Sequence, residues 1–309
     1  MRPMVASTVP AGATLSAARR VFVRLPPPGS AGGGGVTVRM ARAIGAAAAV
    51  CGRSRTCAAA ADVIGRTLRV WLANYAIALV LFGVLASVDY WVCFHLCRSR
   101  CHPGYTLDEK AVSRLRRHAA SSVWSLGVMS LLAAPWDVAA AAGADRRYDT
   151  LADHPGGAAY AAASAVLFLV AGETYSYWLH RALHSVPVLV RLHAEHHAVG
   201  APTPFAAFAF HPLDGYAQGL YFHAFPFLVP VHRGAYAAFM AALSAWSVLV
   251  HDGVGESGGA WGLMGGGAHA RHHGGGGNFG QFTMAWDWAC GTLVREGEKA
   301  PRRRQGKTD

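Results

Sequence analysis

Residues Val70–Val88 read VWLANYAIALVLFGVLASV, 19 residues without a charge. A helix that crosses a bilayer needs about 20 predominantly apolar residues, with about 17 to 25 workable, so the stretch reads as a membrane span. Ala119–Trp136 and Pro155–Gly172 repeat the pattern over 18 residues each. Gly215–Val250 carries a single charge, Arg233, and is interrupted just before it by Pro226 and Pro230. That region predicts either two half-length passes of about 17 residues or a re-entrant hairpin. Any one such stretch is equally a buried core helix, but four or five in one chain do not make a soluble bundle. The expected fold class is all-α, a polytopic membrane protein with about four transmembrane helices.

Composition agrees. Of 309 residues, 53% are hydrophobic and 15% charged, against about 25% charged in a soluble domain, and this is too hydrophobic for a disordered chain. The formal net charge of +11 belongs to the ends of the chain. Residues 1–61 hold eight Arg and no acid, residues 295–309 hold six bases and three acids, and residues 62–294 carry 14 of each sign. A nucleic-acid binder would put its basic face on the folded part, so no nucleic-acid partner is expected. The tails at most meet anionic lipid or an acidic partner. Three regions follow: 1–61, rich in Ala, Gly, Arg and Pro, as a disordered or transit-like extension; 62–294 as the membrane-embedded domain; and 295–309 as a basic cytosolic tail.

Six Lys or Arg against two acids in 97–118, and two Arg against three acids in 145–154, place the first loop in the cytosol and the second in the lumen. The third span then returns the chain to the cytosol at His180, and the 215–250 hairpin returns it there before His269. A single pass at 70–88 conflicts with this at the Arg-rich N-terminus, which it would leave in the lumen. The six cysteines form no CxxC pair, which suits a reduced setting rather than a disulfide framework. Cys93, Cys97 and Cys101 make one helical stripe, read as packing at a membrane boundary, with palmitoylation as the sharper alternative.

Twelve of the 16 histidines fall between His180 and His273, and eight of these form three clusters: His180 and His184; His193, His196 and His197; His269, His272 and His273. Positions i, i+3 and i+4 share a helix face, so each cluster aims its imidazoles one way. Neutral imidazole offers a lone pair to Fe, Zn, Cu or Ni, and eight rings converging from three segments can hold two metal ions. HxxxH followed by two HxxHH boxes beside membrane spans points to metal. Only Glu195, Asp214, Asp252 and Glu256 are acidic between His180 and His273, and no ExxH pair occurs. A carboxylate-bridged di-iron bundle and an HExxH zinc protease are therefore disfavoured, and an all-His or nearly all-His site is expected. His251, before Asp252-Gly253, and His211, before Pro212-Leu213-Asp214-Gly215, are further candidates to ligate metal or orient a ligand. His223 and His232 are placed along a substrate passage, and His95, His102, His118 and His154 at the surface or interface.

These boxes resemble the fatty acid hydroxylase and sterol desaturase superfamily. Tyr177-Trp178-Leu179-His180-Arg181-Ala182-Leu183-His184 is similar to its first box. Pro202-Thr203-Pro204-Phe205, Ala209–Gly215, Val250–Gly253 and Asn278–Thr283 resemble its sterol C5-desaturase (lathosterol oxidase) branch, and Met284–Leu293 the plant and green-algal members. The resemblance covers about 170–293, with a weaker hydropathic match from about 66. Gly274–Gly277 stand where relatives place five, often aromatic, residues, and Ala268 where some have an aromatic or another His, which predicts a looser loop.

The resemblance implies a multi-pass endoplasmic reticulum enzyme, with a plastid membrane as the alternative, whose helical His-box domain faces the cytosol. It implies a non-haem di-iron centre held by His180, His184, His193, His196, His197, His251, His269, His272 and His273. His211, Asp214, Asp252, Asn278 and Asp287 would support those ligands or meet substrate. It further implies O2 as co-substrate, electrons from NADH through cytochrome b5 and its reductase, and a Δ7-sterol drawn from the bilayer and given a C5=C6 double bond. Phe205, Phe210 and Trp246 are candidates to shape the pocket, against plain packing. Arg181, Arg191 and Arg271 are read as solvated surface residues, against contact with ligands or the donor cytochrome. Alternatives are a sterol C4-methyl oxidase, a fatty acid hydroxylase, a carotenoid hydroxylase, or a non-catalytic membrane metal-binding protein.

Overall fold

A computed structural model of the chain describes residues 55–255 and 262–298. The expectations for residues 1–54, Glu256 and the end of the basic tail lie outside them. Contacts divide the chain between Ala60 and Ala61, and apart from the first six residues of helix α1 everything argued below lies within the second unit.

The first two uncharged runs lie inside longer helices, and the third makes the first part of one. Helix α1, Arg55–Trp91, continues through a π-helical turn, Val92–Leu96, into the short α2, Arg98–Cys101. Asp62 and Arg66, one turn apart, pair at 2.8 Å, which lets the helix run past the apolar stretch. Helix α3, Glu109–Ala141, opens on Asp108, whose carboxylate accepts from the Ala111 amide at 2.7 Å, satisfying one orphan donor of the first turn. Helix α4 spans Gly157–Leu183. At 1.5 Å per residue it is about 40 Å long, so the helix that begins as a membrane span ends as the first histidine box. Among the described residues, three helical segments are long and apolar enough to cross a membrane: Cys57–Leu96, Glu109–Ala141 and Gly157–Leu183. Outward side chains such as Val80 (65% exposed) and Val166 (60% exposed) leave an apolar surface too extensive for water.

Two 17-residue helices follow the short α5, Pro187–His197: α6, Pro212–Leu228, and α7, Arg233–Leu249. Each is about 25 Å long, just under a bilayer core of about 30 Å. Val231–His232 (β2) pairs in parallel with Arg147–Tyr148 (β1), in the charged loop joining α3 to α4, and Tyr160 Oη, at the start of α4, donates to the Pro230 carbonyl. Higher up, Tyr175 Oη donates to Ala217 O at 2.6 Å. The hairpin therefore lies along α4 and reaches the loop where α4 begins. Helices α8, Gly266–Gly275, and α9, Ala285–Cys290, are the last among the described residues.

Packing follows this order. Phe82, Leu126, Ala207 and Val248 join α1, α3, α7 and the turn after α5, while Phe168, Phe222, Phe225 and Val231 join α4 to the hairpin. Two histidine expectations need correction. His118 is buried rather than superficial, bonding Thr203 Oγ1 at 2.9 Å and the Val199 carbonyl at 3.1 Å, because it ties α3 to the segment leaving α5. His232 lines no passage: its Nδ1 accepts from the Ala235 amide and caps α7.

Candidate metal centre

Nine imidazoles meet where α4, α5, α7 and α8 end or begin. His180 is on the last turn of α4 and His184 is its C-cap. Pro187 starts α5, whose last turns carry His193, His196 and His197. His251 follows α7, and α8 carries His269, His272 and His273. Their ring nitrogens form two groups: His180, His184, His193, His197 and His272, and, beside it, His196, His251, His269 and His273. Each HxxHH box serves both groups. Neighbours on a helix are about 100° apart, so His196 and His197 diverge, as do His272 and His273, while the i,i+4 partners His193 and His197 stay together.

The orientation of the rings is set from behind. Nδ1 of His180 donates to Phe279 O (3.1 Å), that of His196 to Ala209 O (3.3 Å), that of His251 to Ser247 O (2.6 Å) and that of His272 to Gly277 O (2.6 Å). His193 Nδ1 bonds the fully buried Asp214 carboxylate at 2.8 Å. With the proton on Nδ1, Nε2 presents a bare lone pair. Yet His180 Nε2 and His193 Nε2 face each other at 3.2 Å, and the pairs His184–His272, His197–His272, His251–His269 and His269–His273 at 3.0–3.1 Å. Lone pairs at that distance repel unless a cation sits among them. With metal–imidazole bonds of about 2.1 Å, neighbouring ligand atoms stand about 3.0–3.4 Å apart. The donor set therefore fits metal.

Six of the rings are also held neutral. Burial pushes His197 and His251 down to about 4; His193 adds to this at His197, and the Ser247 carbonyl opposes it at His251. Burial, then His251 and His197, push His273 down to about 2. Burial first and the facing imidazoles second hold His196, His269 and His272 well below the usual histidine range. An imidazole must be neutral to ligate.

The supporting residues divide. Asp287 accepts from the amides of Phe279 (2.8 Å) and Gly280 (2.9 Å) and from Thr292 Oγ1. It thereby fixes the carbonyl that His180 bonds. Asn278, at φ 54°, accepts from Val294 N and donates to Ala268 O and Val294 O, stapling α8 to the segment after α9. The glycine run is more ordered than a loose loop. Gly274 and Gly275 close α8, whereas Gly276 and Gly277 have φ 82° and Gly277 O receives His272. A Cβ on Gly277 would lie 2.6 Å from Thr292 O, so a side chain does not fit. His211 joins neither group and caps α6 through the Leu213 amide. Asp252 bonds the Val254 amide rather than a histidine. Glu195 and Arg191 are exposed, Arg181 bonds Tyr177 Oη, and Arg271 is half-buried rather than fully solvated.

An apolar cavity of about 190 Å³ opens on this centre, lined by His180, His193, His196, His251, Phe210 and Gln218 among others. A second, of about 370 Å³, extends it between α1, α3 and the hairpin. The two share Met129, Phe208, Gly215, Gly219, His223, Met240 and Ser244. Together they fall in the range of a small-molecule site. Phe210 stacks on His196 at 4.3 Å. Phe205 and Trp246 pack instead, Phe205 on Phe82 and Tyr90, and Trp246 on Phe282 while donating to Gln281 O.

Two residues escaped the sequence reading. Glu173, in α4, accepts from the amides of Phe282 and Thr283 and from Thr283 Oγ1, holding the turn that follows Phe279. Its signal was a lone acid directly after an apolar span. Gln218 donates to Asp214 at 2.9 Å and carried no signal.

Residues 165–292 match the family model described as fatty acid hydroxylase. The chain is similar to the Delta(7)-sterol 5(6)-desaturase of Leptosphaeria maculans, 31% identical over 77% of this chain and 65% of the relative. A Delta(7)-sterol 5(6)-desaturase of Aspergillus fumigatus is 31% identical over 78% and 67%, respectively, and the lathosterol oxidase of Homo sapiens 30% over 62% of each chain. The chain thus spans about two thirds of the length of these curated relatives. No solved structure matches it.

Proposed function

We propose, because the chain belongs to the fatty acid hydroxylase family, that it is a membrane-embedded sterol C5(6)-desaturase. The relatives' names supply the substrate class, a Δ7-sterol. The observation that carries the reading is the placement of nine imidazoles, five of them anchored through Nδ1, at the inner end of an apolar cavity. Five of them, His180, His184, His193, His197 and His272, would hold one iron, and His196, His251, His269 and His273 the other. Two bound iron ions would supply the activation of O2, with electrons from NADH through cytochrome b5 and its reductase. In the balanced reaction the sterol loses two hydrogens from adjacent carbons, O2 takes those with two electrons and two protons, and two waters leave.

The chain's own residues do the rest. Asp214, Asp287 and the carbonyls of Phe279, Gly277, Ala209 and Ser247 fix the tautomers and aim the rings. Met129, Phe208 and Met240 wall the passage with apolar surface, which takes a sterol from lipid and keeps bulk water out. The basic loop 97–118 supports an orientation with the histidines on the cytosolic face of the endoplasmic reticulum. The test is expression in a yeast strain lacking sterol C5-desaturation, followed by sterol profiling. Δ5,7-sterol should appear; none, from protein stably present in the membrane, removes the assignment.

A further inference from the structure

A second cluster of ligand-type atoms lies apart from the nine histidines. Asp89, in the last turn of α1, and Cys93, in the π-helical turn that continues it, are one turn apart, and Asp252 faces them from the turn after α7. Their ligand atoms lie within 4.8 Å of one another, and all three side chains are buried. Cys93 Sγ is 3.4 Å from Asp89 Oδ1 and 4.0 Å from Asp252 Oδ2. Asp89 is only 8% exposed, and its Oδ2 is sealed from solvent with no hydrogen-bond partner. Among the described residues neither carboxylate has an ion-pair partner. Two carboxylates and a thiol enclosed without a cation are costly.

From this geometry we propose a separate structural metal site, a zinc site by ligand type, held by Asp89, Cys93 and Asp252. A four-coordinate shell with bonds of about 2.0 Å to oxygen and 2.3 Å to sulfur has sulfur–oxygen edges of about 3.5 Å. The observed 3.4 and 4.0 Å lie on either side of that value, so a small contraction closes the shell. A thiolate selects zinc over calcium or magnesium. His102, whose Nε2 is likewise sealed and unpartnered, stands by the same turn, its Cε1 3.6 Å from where a Gly253 Cβ would lie. Asp252 is also pinned from the other side: Val254 N donates to its Oδ1, and a side chain at Gly266 would overlap that atom. A metal here would clamp α1 to the turn that carries His251. The site stands whether or not the desaturase reading does.

The distinguishing property is sulfur, since the nine-histidine centre has none. Chelator-stripped full-length protein in detergent is titrated with Co²⁺ and followed optically. One equivalent should give a thiolate-to-cobalt charge-transfer band. The band should persist in Cys97→Ala and Cys101→Ala, and disappear in Cys93→Ala with the loss of one metal equivalent. Zinc-loaded wild-type protein should show a sulfur neighbour at about 2.3 Å by X-ray absorption. Absence of both signals in the wild type overturns the proposal however the variants fold, and so does a band that survives Cys93→Ala.

Discussion

Asp214 bonds two partners at once: Oδ2 to His193 Nδ1 at 2.8 Å and Oδ1 from Gln218 Nε2 at 2.9 Å, with no exposure to solvent. A carboxylate behind a ligating imidazole raises its basicity and fixes its tautomer, and removing such a partner typically costs about 10–100-fold in metal affinity. Asp214→Asn should show a loss of that size in competition with a chelator, while Gln218→Ala should show less; unchanged affinity in Asp214→Asn would mean that His193 is not a ligand. Gly277 is a second sensitive position. Gly277→Ala puts a methyl against Thr292 O, and it asks alanine to adopt φ 82°. That conformation alone costs about 1–3 kcal/mol, and relief would pull the Gly277 carbonyl off His272. A lowered melting temperature together with weaker metal retention is expected, and a melting temperature equal to wild type would contradict the close approach. Asp214 was legible before any coordinates, through the HPLDG segment. The carbonyls of Phe279, Ala209, Ser247 and Gly277 were not, because a backbone acceptor has no side-chain signature.

At the scale of elements, the helices were legible and their partners were not. Apolar runs give the middle of α1 and α3 and the first part of α4, and box spacing gives the face of α5 and α8. Spacing alone cannot say that His193 groups with His180 while His196 groups with His251, because that depends on which way α5 is turned against α4 and α8. Nor does it show how far the α6–α7 hairpin reaches, which the pairing of its tip with Arg147–Tyr148 decides. That hairpin makes one wall of the passage, and Gly219 lines both cavities where they join, with nothing within 4 Å of a Cβ placed on it. Gly219→Phe should plug the junction without touching a histidine. Sterol turnover is expected to fall at least about tenfold, through substrate entry, with metal content and melting temperature near wild type. Full turnover in this variant would route the substrate elsewhere.

For the described unit as a whole, the main internal tension is electrostatic. Nine imidazoles share one layer, six of them buried, and the shifts at His197, His251 and His273 tie stability to both metal and protons. Unfolded, each ring takes up a proton near pH 6.5; folded, His197 and His251 resist until about 4 and His273 until about 2. Below pH 6.5 the unfolded chain therefore binds more protons than the folded one, and stability falls as pH falls. Above 6.5 both states are neutral at these sites and the stability is fully retained. Metal acts on the same nitrogens: an ion that binds only the folded state at about 1,000 times its dissociation constant adds about 4 kcal/mol, and needs unprotonated rings to do so. Metal-stripped protein should thus melt below the iron-loaded form at pH 7.5. Its melting temperature should hold steady down to about pH 6.5 and then drop steeply toward pH 4, with the benefit of added iron shrinking over the same window. A stripped protein whose melting temperature stays level from pH 7.5 to 4.5, or is unmoved by iron at pH 7.5, would mean the histidine layer is protonated or metal-free in the native state.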